Sequence, residues 1–102
     1  MEIKVNLHAS YSPSEYIVAR KIEGELIIVP LVSGIGDMED ELYTLNVTGR
    51  AIWDKLDGRK LLKDVIQELS DEFESNQKQI EIDVIGLLSE LLSRRMIIEV
   101  VS

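Results

Sequence analysis

The chain has 102 residues, of which 45% are hydrophobic, a length and composition typical of one compact domain with a single core. Its formal net charge of -8 disfavours nucleic acid and anionic lipid as partners, because like charges repel. The lack of cysteine excludes disulfides and thiolate chemistry. Since no apolar run approaches the ~18 residues of a membrane span, and none resembles a secretion signal, we expect a cytoplasmic domain without membrane attachment.

The first half of the chain has the pattern of short strands. Two runs rich in β-branched residues, 15–22 and 25–32, flank the dipeptide Glu23-Gly24, which is typical of a hairpin turn. A third short strand is predicted over 41–45. The sequence therefore predicts a small three-stranded antiparallel sheet.

Two segments of this half carry turn residues rather than an element pattern. Residues 1–14 alternate weakly and end in a Ser-Pro-Ser cluster, so we expect a flexible lead-in before a domain that spans 15–102. Residues 33–40 contain two glycines and a burst of acid, which indicates a loop.

After residue 45 the apolar period changes from 2 to about 3.6, which predicts helices. The first should run over 47–56 with Asn46 or Thr48 as its N-cap, and two longer helices should follow near 62–73 and 77–94. A last apolar run closes the chain. Strands before helices indicate an α+β domain, and a winged helix-turn-helix with a three-helix bundle after the sheet fits this order best.

The segment 45–58 reads LNVTGRAIWDKLDG and resembles the signature LNxTGxxIWxxLDG of the PqqD-like family. The resemblance extends more weakly over about residues 16–100. The chain departs from the family pattern at three places. Leu61 stands where many relatives have a capping Thr or Ser, Arg95 stands where they often have Gly, and the run 34–40 is longer.

The resemblance implies a function as well as a fold. Members of the family are recognition elements for ribosomally made, post-translationally modified peptides. They bind the leader of a precursor and deliver it to a maturation enzyme, often a radical enzyme that uses S-adenosylmethionine. The resemblance thus implies a non-catalytic partner of such an enzyme, as in pyrroloquinoline quinone (PQQ) biosynthesis, or of a lasso-peptide protease. It also implies that the leader adds antiparallel to the third strand, in a cleft against the third helix.

A short edge strand next to an apolar groove is suited to binding an extended peptide. The third helix has an apolar arc of roughly 200°, wider than one packed face needs, so its second face either lines the groove or is covered by core or a dimer partner. Asp83 is either a surface acid or the partner of a leader cation, and nearby loop acids would steer a basic leader. We expect the leader to contact Glu41, Leu42, Tyr43, Thr44, Leu45, Ile82, Asp83, Ile85, Ser89 and Leu92.

Residues that could support catalysis are few. His8 is the one histidine, so neither a histidine-centred triad nor a multi-histidine metal site can be assembled. Gly34-Ile35-Gly36 lacks the context of a phosphate-binding loop. We therefore expect no cofactor, no metal and no catalytic activity in isolation.

Two alternatives from other classes stay open. A winged-helix transcriptional regulator has the same helix order, but its recognition helix should carry a basic face, and the third helix has basic residues only at its ends. A purely structural homodimer would instead bury the surplus apolar face of that helix between two copies.

Overall fold

The computed structural model describes residues 4–31 and 43–100, which form an α+β domain. The sheets are antiparallel, and the three helices follow one another directly. The elements in chain order are β1 (Ser10–Pro13), β2 (Ile17–Ile22), β3 (Glu25–Pro30), β4 (Tyr43–Leu45), α1 (Val47–Asp54), α2 (Leu62–Phe73), α3 (Gln77–Ser93) and β5 (Ile97–Val100).

The main sheet has the order β2-β3-β4, as the sequence predicts for an antiparallel three-stranded sheet. Its hairpin turns at Glu23 and Gly24, whose φ angles of 48° and 83° are both positive, as a two-residue type I′ turn requires. β3 lies in the centre and pairs Leu26 with Leu45 and Ile28 with Tyr43. The central strand thereby fixes the position of β4.

The expectation of a flexible lead-in over residues 1–14 is wrong for β1. Residues 10–13 pair antiparallel with β5, and Tyr11 is 2% exposed within the core. The hydroxyl oxygen of Tyr11 accepts a hydrogen bond from Asn6 N–H at 2.9 Å and lies 3.2 Å from a carboxylate oxygen of Glu99, to which it donates. The apolar run at the chain's end needs a strand partner, and the N-terminal segment supplies it.

The same segment caps α2. Leu61 at the N-cap has no side-chain acceptor, so the first helical amides need other partners. Leu62 N–H donates to the carbonyl oxygen of Ala9, and Lys63 N–H donates to that of Leu7, both at 2.9 Å. Backbone carbonyls therefore do here what a Thr or Ser side chain does at a conventional N-cap.

The end of α3 places Arg95 in a left-handed conformation, at the position where relatives often have glycine. Arg95 has φ 60°, and the N–H of Met96 donates to the carbonyl oxygen of Leu91 while that of Arg95 donates to Leu92. This pattern is a Schellman motif, in which the left-handed residue is usually glycine. The arrangement keeps Met96 and Leu91 fully buried although an arginine occupies the left-handed position.

The core lies between the three-stranded sheet, the β1–β5 ribbon and the helices. Trp53 is 7% exposed and belongs to this core, together with Ile52 and Leu56. The core residues of the two long helices repeat at helical spacing: Leu62, Val65, Ile66 and Leu69 on α2, and Ile80, Val84, Leu88 and Leu91 on α3. These two stripes set the rotation of α3 about its axis, and with it the side chains that face β4.

Candidate functional site

β4 is an edge strand. β3 pairs with it on one side, and no strand in the described ranges 4–31 and 43–100 pairs with the other. Side chains alternate along a strand, so Tyr43 and Leu45 share one face and Thr44 points to the other. Leu45 is buried, Tyr43 is half-buried and Thr44 is exposed. Main-chain groups along the open edge are therefore available to another strand.

A cleft of about 410 Å³ lies next to this edge, bordered by the start of α1 and by α3. Its floor is apolar, because Leu45 and Ile52 are buried at its base and Leu87 closes one wall. Its rim is more polar than the apolar groove predicted from the sequence. The rim carries Thr44, Asn46, Thr48 and Asp83.

The LNxTG part of the sequence motif builds the α1 side of the cleft. The side-chain oxygen of Asn46 accepts a hydrogen bond from Gly49 N–H at 2.8 Å and so caps α1. A Cβ at Gly49 would lie 3.2 Å from Leu45 Cβ, a distance that requires the neighbour to shift. Glycine at this position lets the helix begin close against β4 and keeps the cleft open at its base.

α3 contributes Asp83 and Leu87 to the wall of the cleft, and the same face of the helix continues beyond the cleft to its C-cap. Asp83, Leu87, Glu90 and Arg94 recur at the spacing of one helix face, and Arg94 lies over the Tyr43 ring with its guanidinium carbon 4.8 Å from the ring centre. Arg94 also pairs with Glu90 at 2.8 Å. Burial raises the pKa of Tyr43, the charge of Glu90 raises it further, and Arg94 opposes both. This end of the site is therefore closed by an aromatic–cation pair whose charge is already balanced.

Asp83 lies toward the other end of the cleft. Its carboxylate is exposed and accepts one hydrogen bond, from the side-chain amide of Gln79 at 3.1 Å. Within the described residues it forms no ion pair. A carboxylate accepts up to about four hydrogen bonds, so Asp83 keeps free acceptor capacity that faces the cleft.

The structure brings together four of the residues expected to bind a peptide: Tyr43, Thr44, Leu45 and Asp83. Glu41 and Leu42 lie outside the described residues. The remaining four, Ile82, Ile85, Ser89 and Leu92, are not at the cleft. At 100° per residue, Ile82 and Ser89 point about 100–120° away from Asp83, and Ile82 is 55% exposed. Any role for these four in binding stays a prediction.

Leu92 lines a separate recess of about 500 Å³ beside β1 and β5. Five residues that line the β4 cleft are not among the expected leader contacts: Asn46, Thr48, Gly49, Ile52 and Leu87. The first four belong to the LNxTGxxI string. Their grouping at the start of one helix is the sequence feature from which this side of the cleft could have been predicted. Leu87 packs partly against the core, and the rest of its side chain closes the cleft.

The described residues contain neither a group of His, Cys, Asp and Glu side chains arranged to hold a metal ion nor a helix long and apolar enough to cross a membrane.

The fold and the site together define a class of protein: a small α+β domain in which an open strand edge lies beside a cleft lined by helices. Residues 25–97 match the family model described as coenzyme PQQ synthesis protein D (PqqD), so the chain belongs to the PqqD family. Its fold is similar to that of TbiB1, solved in complex with the TbiA(beta) leader peptide. The TM-score is 0.69 at 19% identity, over 84% of this chain and 93% of that one. Among curated proteins, none matches the chain.

Proposed function

We propose that the protein is a non-catalytic accessory protein that binds the leader of a ribosomally made precursor peptide and presents it to a maturation enzyme. The leader adds as a strand antiparallel to the free edge of β4. One observation carries the proposal: the edge of β4 that has no strand partner in the described part of the chain borders a cleft formed by α1 and α3.

This geometry suits an extended guest chain that is recognised mainly through its backbone. Main-chain hydrogen bonds to β4 give affinity for any extended segment, and side chains on alternate positions enter the cleft, which gives selectivity. An apolar side chain that is fully buried against Ile52 and Leu87 contributes about 1.5–3 kcal/mol. That gain offsets part of the cost of ordering a leader that is disordered when free.

The outer edge of β2 also lacks a strand partner among residues 4–31 and 43–100. It carries the exposed residues Arg20 and Lys21, and charged side chains on an edge strand disfavour pairing with another chain. The β4 edge is short, lies beside a cleft and has Thr44 on its open face. These differences favour β4 as the docking strand.

Membership of the PqqD family, together with the fold likeness to a protein solved with a leader peptide, supports the same role. The maturation enzyme is then a radical S-adenosylmethionine enzyme, as in PQQ biosynthesis, or a lasso-peptide protease, and the complex works in the cytoplasm. We also assign the helices and the β1–β5 ribbon to a winged helix-turn-helix arrangement, with the ribbon as the wing. A homodimer would use the exposed face of α3 around Ile82.

The test is a titration of the ¹⁵N-labelled protein with synthetic N-terminal halves of the small peptides encoded next to its gene. One of them should shift the amide signals of Tyr43 to Leu45 and bind with micromolar or tighter affinity. Leu87→Asp places a charge in the cleft and should weaken binding more than about tenfold, because a buried unpaired charge is costly. Fluorescence of the buried Trp53 checks that this variant folds.

Phe73→Asp is the matched control, since it makes the same kind of change at a partly exposed apolar residue of α2 that does not line the cleft, and it should bind normally. Binding that survives Leu87→Asp in a folded protein, or the lack of binding by every such peptide, would contradict the proposed role.

A further inference from the structure

We propose, resting on the leader-binding role above, that the site selects leaders that carry Lys or Arg just N-terminal to the apolar residue held in the cleft. The carboxylate of Asp83 is the partner of this cation. The inference extends the proposed function from a docking mode to the chemistry and direction of the docked segment.

The first step is the position of Asp83 in the cleft. Asp83 borders the same space as Thr48 and Ile52, at the α1 side. Arg94 lies over Tyr43 at the other side, and it follows Asp83 by eleven positions, which correspond to about 16 Å of helix axis. The two ends of the site are thus chemically different, so the site can distinguish the two orientations of a bound peptide.

The second step is charge. Asp83 has one hydrogen bond, from an uncharged amide, whereas the charge of Arg94 at the opposite end is paired with Glu90. Ile52 at the base and Leu87 on the wall place apolar surface in the same cleft as Asp83, and a charge beside apolar surface is screened less than one in bulk water. The chain as a whole has a net charge of -8. A cationic side chain is the complement of this surface, and an anionic one is repelled.

The third step is direction. A strand that is antiparallel to β4 runs from the Asn46 end of β4 toward the Tyr43 end. It therefore passes Asp83 before it passes Arg94. Residues of a strand are about 3.3 Å apart, so the cation should precede the side chain that contacts Leu87 by one or two positions.

The experiment uses a display library of random peptides of about 12 residues, selected against the immobilised full chain. Three proteins are compared: wild type, Asp83→Asn and Asp71→Asn. Asp71 on α2 is a matched control, because it accepts a hydrogen bond from Gln67 four residues earlier, as Asp83 does from Gln79. Both variants lose one negative charge, and only one of them changes the cleft.

Peptides selected on wild type and on Asp71→Asn should be enriched in Lys or Arg at one position N-terminal to an apolar residue, and this enrichment should disappear on Asp83→Asn. For a selected peptide, replacing that cation by Gln should weaken binding to wild type by about threefold to fivefold, the range of a solvent-accessible ion pair. The same replacement should have no effect on Asp83→Asn. On wild type, the difference in affinity between the cationic peptide and its Gln variant should shrink as the salt concentration rises from about 50 to about 500 mM.

The possible failures are distinguishable. The cation inference is overturned if the selected peptides bind wild type but not Leu87→Asp and show no preference for Lys or Arg. It is also overturned if the peptides selected on Asp83→Asn show the same preference as those selected on wild type. Either result leaves the leader-binding role intact. If no peptide is selected, or if the selected peptides bind Leu87→Asp as tightly as wild type, the cation inference and the leader-binding role are both overturned.

Discussion

Removing the Tyr11 hydroxyl tests whether the N-terminal segment is part of the fold. In Tyr11→Phe the ring still fills its core site, but the hydrogen bond accepted from Asn6 and the one donated to Glu99 are both lost. Asn6 and Glu99 are exposed, so water replaces part of each bond. We expect a loss of about 1–1.5 kcal/mol in the free energy of unfolding.

The assay is urea unfolding followed by fluorescence of Trp53, which is the one tryptophan and is buried. A typical urea dependence for a small domain converts the loss to a midpoint lower by roughly 0.5–1 M. Tyr16→Phe is the control, because Tyr16 is 50% exposed and its hydroxyl makes no hydrogen bond to the rest of the described structure. If Tyr11→Phe unfolds at the same midpoint as Tyr16→Phe, the packing of the N-terminal segment described above is incorrect.

Arg95→Gly should raise the free energy of unfolding by about 0.5 kcal/mol in the same assay, because glycine adopts the left-handed conformation without strain. Ser93→Gly, within α3, should lower it by about 0.5–1 kcal/mol, and an equal effect of both changes would refute the capping explanation. Asp57 accepts hydrogen bonds from the backbone N–H groups of Lys60 and Arg59, which lower its pKa below the ordinary 3.8. Its carboxylate thus adds stability that is present above pH 3.8 and is lost as the pH falls toward the folded pKa, so Asp57→Asn should be less stable than wild type near neutrality, and the gap should close in acid. Unfolding at several pH values checks this, with Asp71→Asn as the charge control, and a gap that stays constant on acidification would contradict it.

Elements with strong local signals were predictable from the sequence. Glu23-Gly24 specifies a two-residue hairpin turn, Asn46 caps α1, and the apolar spacing of α2 and α3 gives their positions within a few residues. β1 could not be predicted locally, because it depends on β5, which follows it by more than 80 residues, and because three of its four residues are Ser or Pro, which have little strand preference. The carbonyl groups of Leu7 and Ala9 that cap α2 are backbone atoms, so no residue type marks them.

Of the two sides of the candidate site, the sequence predicts the β4 side but not the α3 side. The edge position of β4 follows from the order of the strands, and the sequence contains that order. The face of α3 that lines the cleft depends on how the helix is rotated about its axis. The buried stripe through Val84 and Leu88 has two flanks, and Ile82 and Ile85 lie on the flank that does not line the cleft. The structure turns the flank with Asp83 and Leu87 toward β4.

The central claim is that an extended peptide pairs with the free edge of β4. Isotope-edited nuclear Overhauser spectra of the labelled protein with an unlabelled leader peptide from a neighbouring gene measure this pairing directly. Close contacts should join the peptide backbone to Tyr43, Thr44 and Leu45 in an antiparallel register, and a peptide side chain should contact Leu87. Contacts confined to the outer edge of β2, or to the recess at Leu92, would contradict the account.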